Sequence, residues 1–464
     1  MEIRDDRRPL PDEPGAPWPA GGATPVAGEL VPDARLQLDP KAHRGLFHFP
    51  PGFLWGAATS SHQVEGHNTN NDWWAWEEQG RVPWRSGEAC DHYHRFREDF
   101  DLARDLRHNA HRFSLEWSRI EPEDGRFSEA AIAHYGEVID ALRERGMEPV
   151  LTVNHYTLPR WLAEQGGWER PDIEERFLRY VERVADAYAS RVRWWITLNE
   201  PVVQVFKGWV IGQWPPGQQN LPHAFQVVRH MLRAHVRAYH AIHARRPDAM
   251  VSVAHHALAL APCNPHRVLD RLSVQWRDFL FNQMFLEALL TGRLAVPGQF
   301  FERLPSGRTL DFIGVNYYTR DFVHNAGFDV VGMIGTACGR DHSDRVDKRT
   351  ALGWEVYPEG LLGFLRSYTR FKLPSLITEN GIATSHEEDR FMFLTLHLWQ
   401  LARGIGLGIP VLGYLHWSLL DNFEWADGFT DARFGLIAVD FKTQRRMVRF
   451  SARRYADIIE NNHL

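Results

Sequence analysis

The sequence predicts an α/β protein, a single (β/α)8 TIM barrel with long βα loops. Three observations carry that reading. Eight short, β-rich apolar runs recur along the chain, longer segments of helical period separate them, and nothing between residues 46 and 460 reads as a linker. Strands alternating with helices build parallel βα units. Eight such units close a barrel rather than an open sheet.

The runs, in order, are Phe53–Thr59, Ala110–Trp117, Pro149–Tyr156, Trp194–Asn199, Met250–His256, Phe312–Tyr318, Ser375–Glu379 and Val411–Trp417. Between them, apolar residues repeat at three and four. Ile173, Phe177, Val181, Val184 and Tyr188 form one such face, and Phe225, Val228, Leu232, Val236, Tyr239 and Ile242 form another. The connections at about residues 60–90, 320–355 and 419–445 are long, and loops of that length in a compact domain usually carry function. A chain of 464 residues invites two or three domains, but barrels with extended loops run long as one unit. The barrel domain is therefore expected to span residues 46–464. Residues 1–45 read as a flexible Pro/Gly-rich tail. Eight of the 27 prolines and four glycines fall within residues 1–40, with few large apolar side chains to offset the entropy of ordering. An arm packed on a neighbouring subunit is the alternative.

Composition excludes several partners. A net charge of −6 leaves no basic field for nucleic acid. There is no run of 18 apolar residues, so no membrane span is expected, and the charged start MEIRDDRRPL lacks the apolar core of a signal peptide. Three cysteines, Cys90, Cys263 and Cys338, give no disulfide framework and point to a reducing compartment, hence a cytoplasmic location. The sequence leaves the oligomeric state open. The 18 tryptophans stand out more, because indole faces stack on sugar rings; most single Trp residues nonetheless belong to cores.

A barrel places its site at the C-terminal ends of its strands. There the chain delivers Gln63 and Glu65, then Arg112 with Glu116 and Trp117, Asn154-His155-Tyr156, Asn199-Glu200-Pro201 and His255-His256. The later ends bring Asn316-Tyr317-Tyr318, Glu379-Asn380-Gly381, and His416-Trp417 followed by Asp421, Glu424 and Trp425. One polar strand end means little, but eight together describe a pocket lined by carboxylates, amides and indoles. Such groups hold sugar hydroxyls and sugar faces. Glu200 and Glu379 each terminate a buried strand. A lone glutamate there would more often be a structural ion pair, but two within this ring match the carboxyl pair of glycoside hydrolysis. No cofactor and no metal is expected. His92/His94 and His255-His256 form no H-E-x-x-H, and adjacent histidines on a strand face opposite ways. G-x-S-x-G, P-loop and G-x-G-x-x-G motifs are absent.

At these residues the chain resembles glycoside hydrolase family 1, the β-glucosidase and β-galactosidase family. The matching stretches are FLWGAATSSHQVEG (53–66), HRFSLEWSRIEP (111–122), NHYTLPRWL (154–162), TLNEP (197–201), GVNYY (314–318), GWEVYP (353–358), TENG (378–381), WSLLDNFEW (417–425) and RFGL (433–436). They cover about residues 46–460. The resemblance implies a retaining exo-β-glycosidase acting on small β-glycosides or short β-linked oligosaccharides. Glu200 would be the acid/base and Glu379 the nucleophile. Asn199 would bind the 2-hydroxyl, and Gln63, His155, Glu424 and Trp425 the 3-, 4- and 6-hydroxyls. Trp417 would be the floor under the sugar, Phe434 the wall near its 6-position, and Trp354 part of the aglycone entrance. Tyr318, a substrate-site residue, would with Arg112 keep the nucleophile ionised, and Asn316 would support it. The Glu379 charge would in turn raise the pKa of Glu200.

Two departures are visible. The family often has His-Trp where this chain has His155-Tyr156, which keeps an aromatic face but loses the indole donor. The stretch from Trp425 to Phe434 is one residue longer and acidic at Asp427 and Asp431. A phosphoglycosidase of the same family would replace Glu424-Trp425, a thioglycosidase would carry Gln at position 200, and a catalytically dead sugar-binding module would lack one glutamate. This chain keeps all of these residues.

Overall fold

The computed structural model describes residues 47–296, 300–328, 330–340 and 342–464. The segment read as a tail lies outside the described residues. Eight parallel strands form the barrel: β1 (Leu54–Ala58), β2 (Ala110–Ser114), β3 (Glu148–Asn154), β4 (Trp194–Asn199), β5 (Met250–Pro262), β6 (Ile313–His324), β7 (Ser375–Asn380) and β8 (Val411–Trp417). Each pairs with the next, and β1 closes on β8 from Leu54↔Gly413 to Ala58↔Trp417.

The barrel is filled from below. Ala110, Val150, Trp194, Ile196, Ala254, Phe312, Leu376 and Leu415, drawn from around the whole ring, form one buried cluster. Side chains from so many strands meet only inside the barrel. Small Ala110 and Ala254 make room for Trp194 and Phe312, whose rings lie 5.4 Å apart. This plug leaves only the upper end open to polar groups. Outside, the expected helical faces pack on the strands. Helix Ile173–Tyr188 buries Ile173, Phe177, Tyr180, Val181, Val184 and Tyr188, and helix Leu221–Arg245 buries Phe225, Val228, Leu232, Val236 and Ile242. Truncating one such residue, Phe177→Ala for instance, costs about 3–5 kcal/mol. Among the described residues no helix is long and apolar enough to cross a membrane.

Several expected bounds shift. β2 stops at Ser114, and Trp117 instead opens the short helix Trp117–Ile120. β5 and β6 run on past the rim, still paired from Ala259↔Arg320 to Pro262↔Val323. The loop read from residue 320 therefore begins as strand. Two register shifts aim the site. One falls in β7 between Ile377 and Glu379 against β6, and the other in β4 between Ile196 and Asn199 against β5. An extra residue of this kind re-aims side chains that simple alternation would send outward. Leu376 faces the barrel interior, so strict alternation would turn Glu379 away from it; the shift turns it back.

Candidate active site

Glu379 lies buried at the top of β7. Its Oε1 accepts from Arg112 Nη1 at 2.5 Å, and its Oε2 accepts from the Tyr318 hydroxyl at 2.5 Å. Arg112 is fixed in turn: Nε donates to Thr152 Oγ1 (2.9 Å), Nη1 also to the Thr378 carbonyl (3.3 Å), and Nη2 to Asn199 Oδ1 (2.6 Å). A guanidinium never deprotonates in this setting, so Glu379 faces a permanent cation. Gly381, two residues on, has no room for a side chain, since a Cβ there would lie 1.8 Å from the Trp417 carbonyl oxygen. The ends of β7 and β8 therefore close tightly beneath the site.

Glu200 sits at the turn from β4 into helix Pro201–Val205 with φ of 40°. Tyr156 and Trp425, also in the cavity, have φ of 72° and 46°. Left-handed backbone at such residues costs of order 1–3 kcal/mol and persists only where surroundings impose it, commonly at functional sites. Here Glu200 N–H donates to the Ala254 carbonyl at 2.8 Å. The carboxylate takes three side-chain donors: Asn316 Nδ2 (2.9 Å) and His256 Nδ1 (3.0 Å) on Oε1, and the Tyr156 hydroxyl on Oε2.

Asn316 corrects an expectation. It was placed with Glu379, but its Oδ1 accepts from Thr378 Oγ1 (2.7 Å), which turns Nδ2 toward Asn199 (3.2 Å) and Glu200. One hydrogen-bonded chain thus runs from Glu379 through Arg112, Asn199 and Asn316 to Glu200.

Burial pushes both carboxyls up, and each one's charge pushes on the other. Their cations differ in kind. Burial lowers the His256 pKa, but Glu200 more than reverses this and leaves it raised. Burial raises Glu200, but the His256 charge and the bonds from His256, Tyr156 and Asn316 hold it down at about 2. Burial and the Glu200 charge then push Glu379 up to about 7, against Arg112 and Tyr318. Each carboxyl thus has its own set of donors offsetting burial: Arg112 and Tyr318 for Glu379, and His256, Tyr156 and Asn316 for Glu200.

The remaining candidates line the same cavity, of about 730 Å³: Gln63, His155, Asn199, Tyr318, Trp354, Trp417, Glu424, Trp425 and Phe434. Arg112 and Asn316 lie beneath, bonded to the carboxylates. Gln63 Nε2 donates to the Phe423 carbonyl (2.9 Å) and to Glu424 Oε2 (3.3 Å), which also accepts from Asn422 Nδ2 (3.2 Å). Burial pushes Glu424 up to about 8, and Asp427, Glu379 and Glu200 add to the push. Burial and then Arg112 keep His155 neutral. Its Nε2 accepts from Asn199 (3.2 Å), so Nδ1 carries the hydrogen, and it has no partner among the described residues. A buried donor of this kind is free for a ligand hydroxyl. Trp417 and Trp425 stack near-parallel to the His155 ring, at 5.9 and 6.0 Å.

Sequence reasoning missed several contributors. Tyr156, read for its ring alone, supplies a hydroxyl to Glu200. His256, placed at the rim and weighed there as a metal ligand, pairs with the same carboxylate. Trp73 and Trp214 pack on Trp425 at 4.7 and 5.9 Å. The outer half of the cavity is largely apolar, with Val203, Phe206, Val210, Leu258, Phe281 and Ile334, and carries Lys207, Arg277 and Asp321 among them.

The sequence profile of glycosyl hydrolase family 1 matches residues 47–464. The chain is 33% identical over 447 residues to beta-glucosidase A of Thermotoga maritima, spanning 90% of this chain and 98% of that protein. It is 31% identical to a beta-galactosidase of Pyrococcus woesei, over 89% of this chain and 97% of that one. Among solved structures, a beta-glycosidase from Pyrococcus horikoshii superposes with a TM-score of 0.85 at 38% identity, covering 90% of this chain and 96% of that chain. A beta-glucosidase from Thermotoga maritima in complex with glucoimidazole gives 0.82 at 32% identity, covering 90% and 100%.

Proposed function

The chain belongs to glycosyl hydrolase family 1 and is a retaining β-glycosidase, and from that premise we propose that Glu379 is its nucleophile and Glu200 its acid/base. Terminal β-D-glucosyl residues are its substrates, with β-galactosides and β-fucosides as further ones. The sugar stacks on Trp417, with Gln63, His155, Glu424 and Trp425 on its outer hydroxyls and Asn199 on the 2-hydroxyl.

The titrating cation makes the cycle work. In the resting pocket His256 Nδ1 lies 3.0 Å from Glu200 Oε1, and the pair shares a proton. Moving it to Glu200 neutralises that carboxyl. The same transfer removes the charge that pushed Glu379 up and leaves Arg112 to hold Glu379 ionised. Glu379 then attacks the anomeric carbon while Glu200 protonates the departing oxygen, giving a covalent glycosyl-enzyme. Glu200, now a carboxylate, takes a proton from the water that cleaves this ester.

One observation carries the reading: a carboxylate on a fixed cation and a carboxylate on a titrating one, in a single cavity rimmed by sugar-binding groups. A 2-deoxy-2-fluoro-β-glucoside with a good leaving group tests it. Fluorine slows both steps and the leaving group lets only the first proceed, so the label should accumulate on Glu379. Peptide mass spectrometry finding it on another residue would sink the assignment.

A further inference from the structure

Outside the catalytic pocket, Cys263, Cys338 and His342 form the one cluster of metal-ligating or thiol groups among the described residues. Cys263 follows β5, and its backbone N–H donates to the Val323 carbonyl at 2.8 Å. Cys338 follows the two-residue strand Thr336–Ala337, and its N–H donates to the neighbouring Phe322 carbonyl at 2.7 Å. Two elements thus seat both thiols against one point of β6, and their sulfurs lie 2.7 Å apart. Atoms in plain van der Waals contact rest at roughly 3.5–4 Å, whereas bonded sulfurs are about 2.05 Å apart.

The third member favours exchange chemistry over a metal. His342 Nδ1 accepts from Arg345 Nη2 at 2.8 Å, so its hydrogen is on Nε2, which lies 3.6 Å from Cys263 Sγ. Burial and the hydrogen bond with Cys338 push the Cys263 thiol up to about 11. Binding a metal through Nε2 would move that hydrogen to Nδ1, against the Arg345 guanidinium. Tetrahedral zinc, with Zn–S of about 2.3 Å, would also hold the sulfurs about 3.8 Å apart. Arg345 Nη2 donates as well to the Cys263 carbonyl at 2.7 Å, which fixes the segment after β5.

The position of this pair gives it reach. Ala326, Ile334, Gly335, Thr336 and Ala337, between the end of β6 and Cys338, line the outer wall of the catalytic cavity. We propose that Cys263 and Cys338 are a reversible disulfide site that ties this wall to the end of β5. The oxidant is a small-molecule disulfide such as oxidised glutathione. The thiolate of one cysteine attacks it, releasing one glutathione, and the second thiol displaces the other. The glutathione S–S bond breaks, the Cys263–Cys338 bond forms, and the two thiol protons leave with the glutathione sulfurs.

The test uses the full chain, treated with oxidised glutathione or with dithiothreitol, then denatured and alkylated. Before alkylation, oxidation should make the protein lighter by two hydrogens; after it, the peptide map should show a Cys263–Cys338 cross-link with Cys90 alone alkylated, a buried thiol that donates to the Asp421 carbonyl at 2.9 Å. Three alkylated cysteines, stable glutathione adducts, or a bond to Cys90 would overturn the proposal. So would zinc ion retained by wild type, protecting the thiols from oxidation and lost from Cys338→Ser. Cys338 is half-buried, so its Ser variant should fold even if Cys263→Ser does not. The coupling to the wall rests on the glycosidase reading, whereas the thiol map does not. Oxidised and reduced wild type should differ severalfold in KM for a β-glucoside with a bulky aryl aglycone, and Cys338→Ser should show no such difference. Equal KM values would refute the coupling. No turnover in either form would instead indict the glycosidase reading.

Discussion

Glu379 is held by Arg112 and Tyr318, whereas Glu200 is held by His256, Tyr156 and Asn316. Both sides are buried, and both carboxyls accept from a cation. The difference is what each cation can do. Arg112 is locked by bonds to Thr152, Thr378 and Asn199 and keeps its charge at any working pH. His256 is an imidazole that can gain and lose a proton, and the Glu200 charge beside it raises its pKa. The half of the pocket that must stay constant is built on a fixed charge, and the half that must shuttle a proton on a movable one.

The largest effect should come from the constant side. Glu379→Ala removes the only group proposed to attack carbon and should lower kcat by about 10⁴-fold or more. Azide should rescue it through single displacement, giving an α-glucosyl azide from a β-glucoside. A β-azide product would place the nucleophile elsewhere.

On the shuttling side, Glu200→Ala should cost about 10²–10⁴-fold on substrates with poor leaving groups. A dinitrophenyl glucoside, whose phenolate needs no proton, should suffer much less in its first step. The variant then stalls without a base, and azide should release a β-glucosyl azide by a second inversion. If alkyl and dinitrophenyl glucosides lost activity equally, Glu200 would not be the acid.

A third test asks whether the rim belongs to either side. Among the described residues the donors to the Glu424 carboxylate are the amides of Gln63 and Asn422, so it should serve the sugar rather than the protein. Losing a hydrogen bond between neutral groups costs about 0.5–1.5 kcal/mol, so Glu424→Gln should lower kcat/KM for glucosides about 2–10-fold. Stability should move the other way. Burial raises its folded-state pKa from 4.5 to about 8, so between these values the folded protein holds a proton that the unfolded chain has lost. Wild-type stability therefore falls as pH rises through that window. Glutamine has no such proton. The Tm advantage of Glu424→Gln over wild type should grow from pH 5 to 8 and then level off. A Tm difference flat with pH would mean that the Glu424 carboxyl is not raised.

The smallest rate effect and the sharpest test of the comparison come from His256→Asn. Asparagine keeps a donor for Glu200 and removes the titration. In wild type the alkaline limb of kcat/KM reports loss of the last proton of the Glu200–His256 pair, whose imidazole is raised. Without the imidazole that proton belongs to a carboxyl. The limb should move to lower pH by roughly one to two units, given intrinsic values near 6.5 and 4.3, with the rate at the optimum little changed. An unmoved limb would show that His256 does not share the proton.

Much of this architecture was legible in the chain. The bounds of β4 and β8 agree to the residue with the runs read from apolar pattern. The strand ends pointed to the right rim because residue type and position suffice to show it. Other features were not legible. The extension of β5 and β6 depends on their mutual pairing above the rim, which periodicity in either strand alone does not reveal. Asn316 was given to the wrong carboxyl because its backbone does pair beside Glu379, while its side chain turns to Glu200. Tyr156 was noticed as a departure, but its hydroxyl reaches a partner 44 residues away, and His256 reaches the same carboxylate across 56.

The sequence by itself determined the eight βα units, the two glutamates at strand ends and the sugar-binding rim, because local periodicity and residue chemistry carry that information. The tertiary structure alone decided which donor meets which carboxylate. Register shifts in β4 and β7, left-handed turns at Glu200 and Tyr156, and shared burial set those distances. Electrostatic order follows distance and desolvation, and neither is a property of any short stretch of chain.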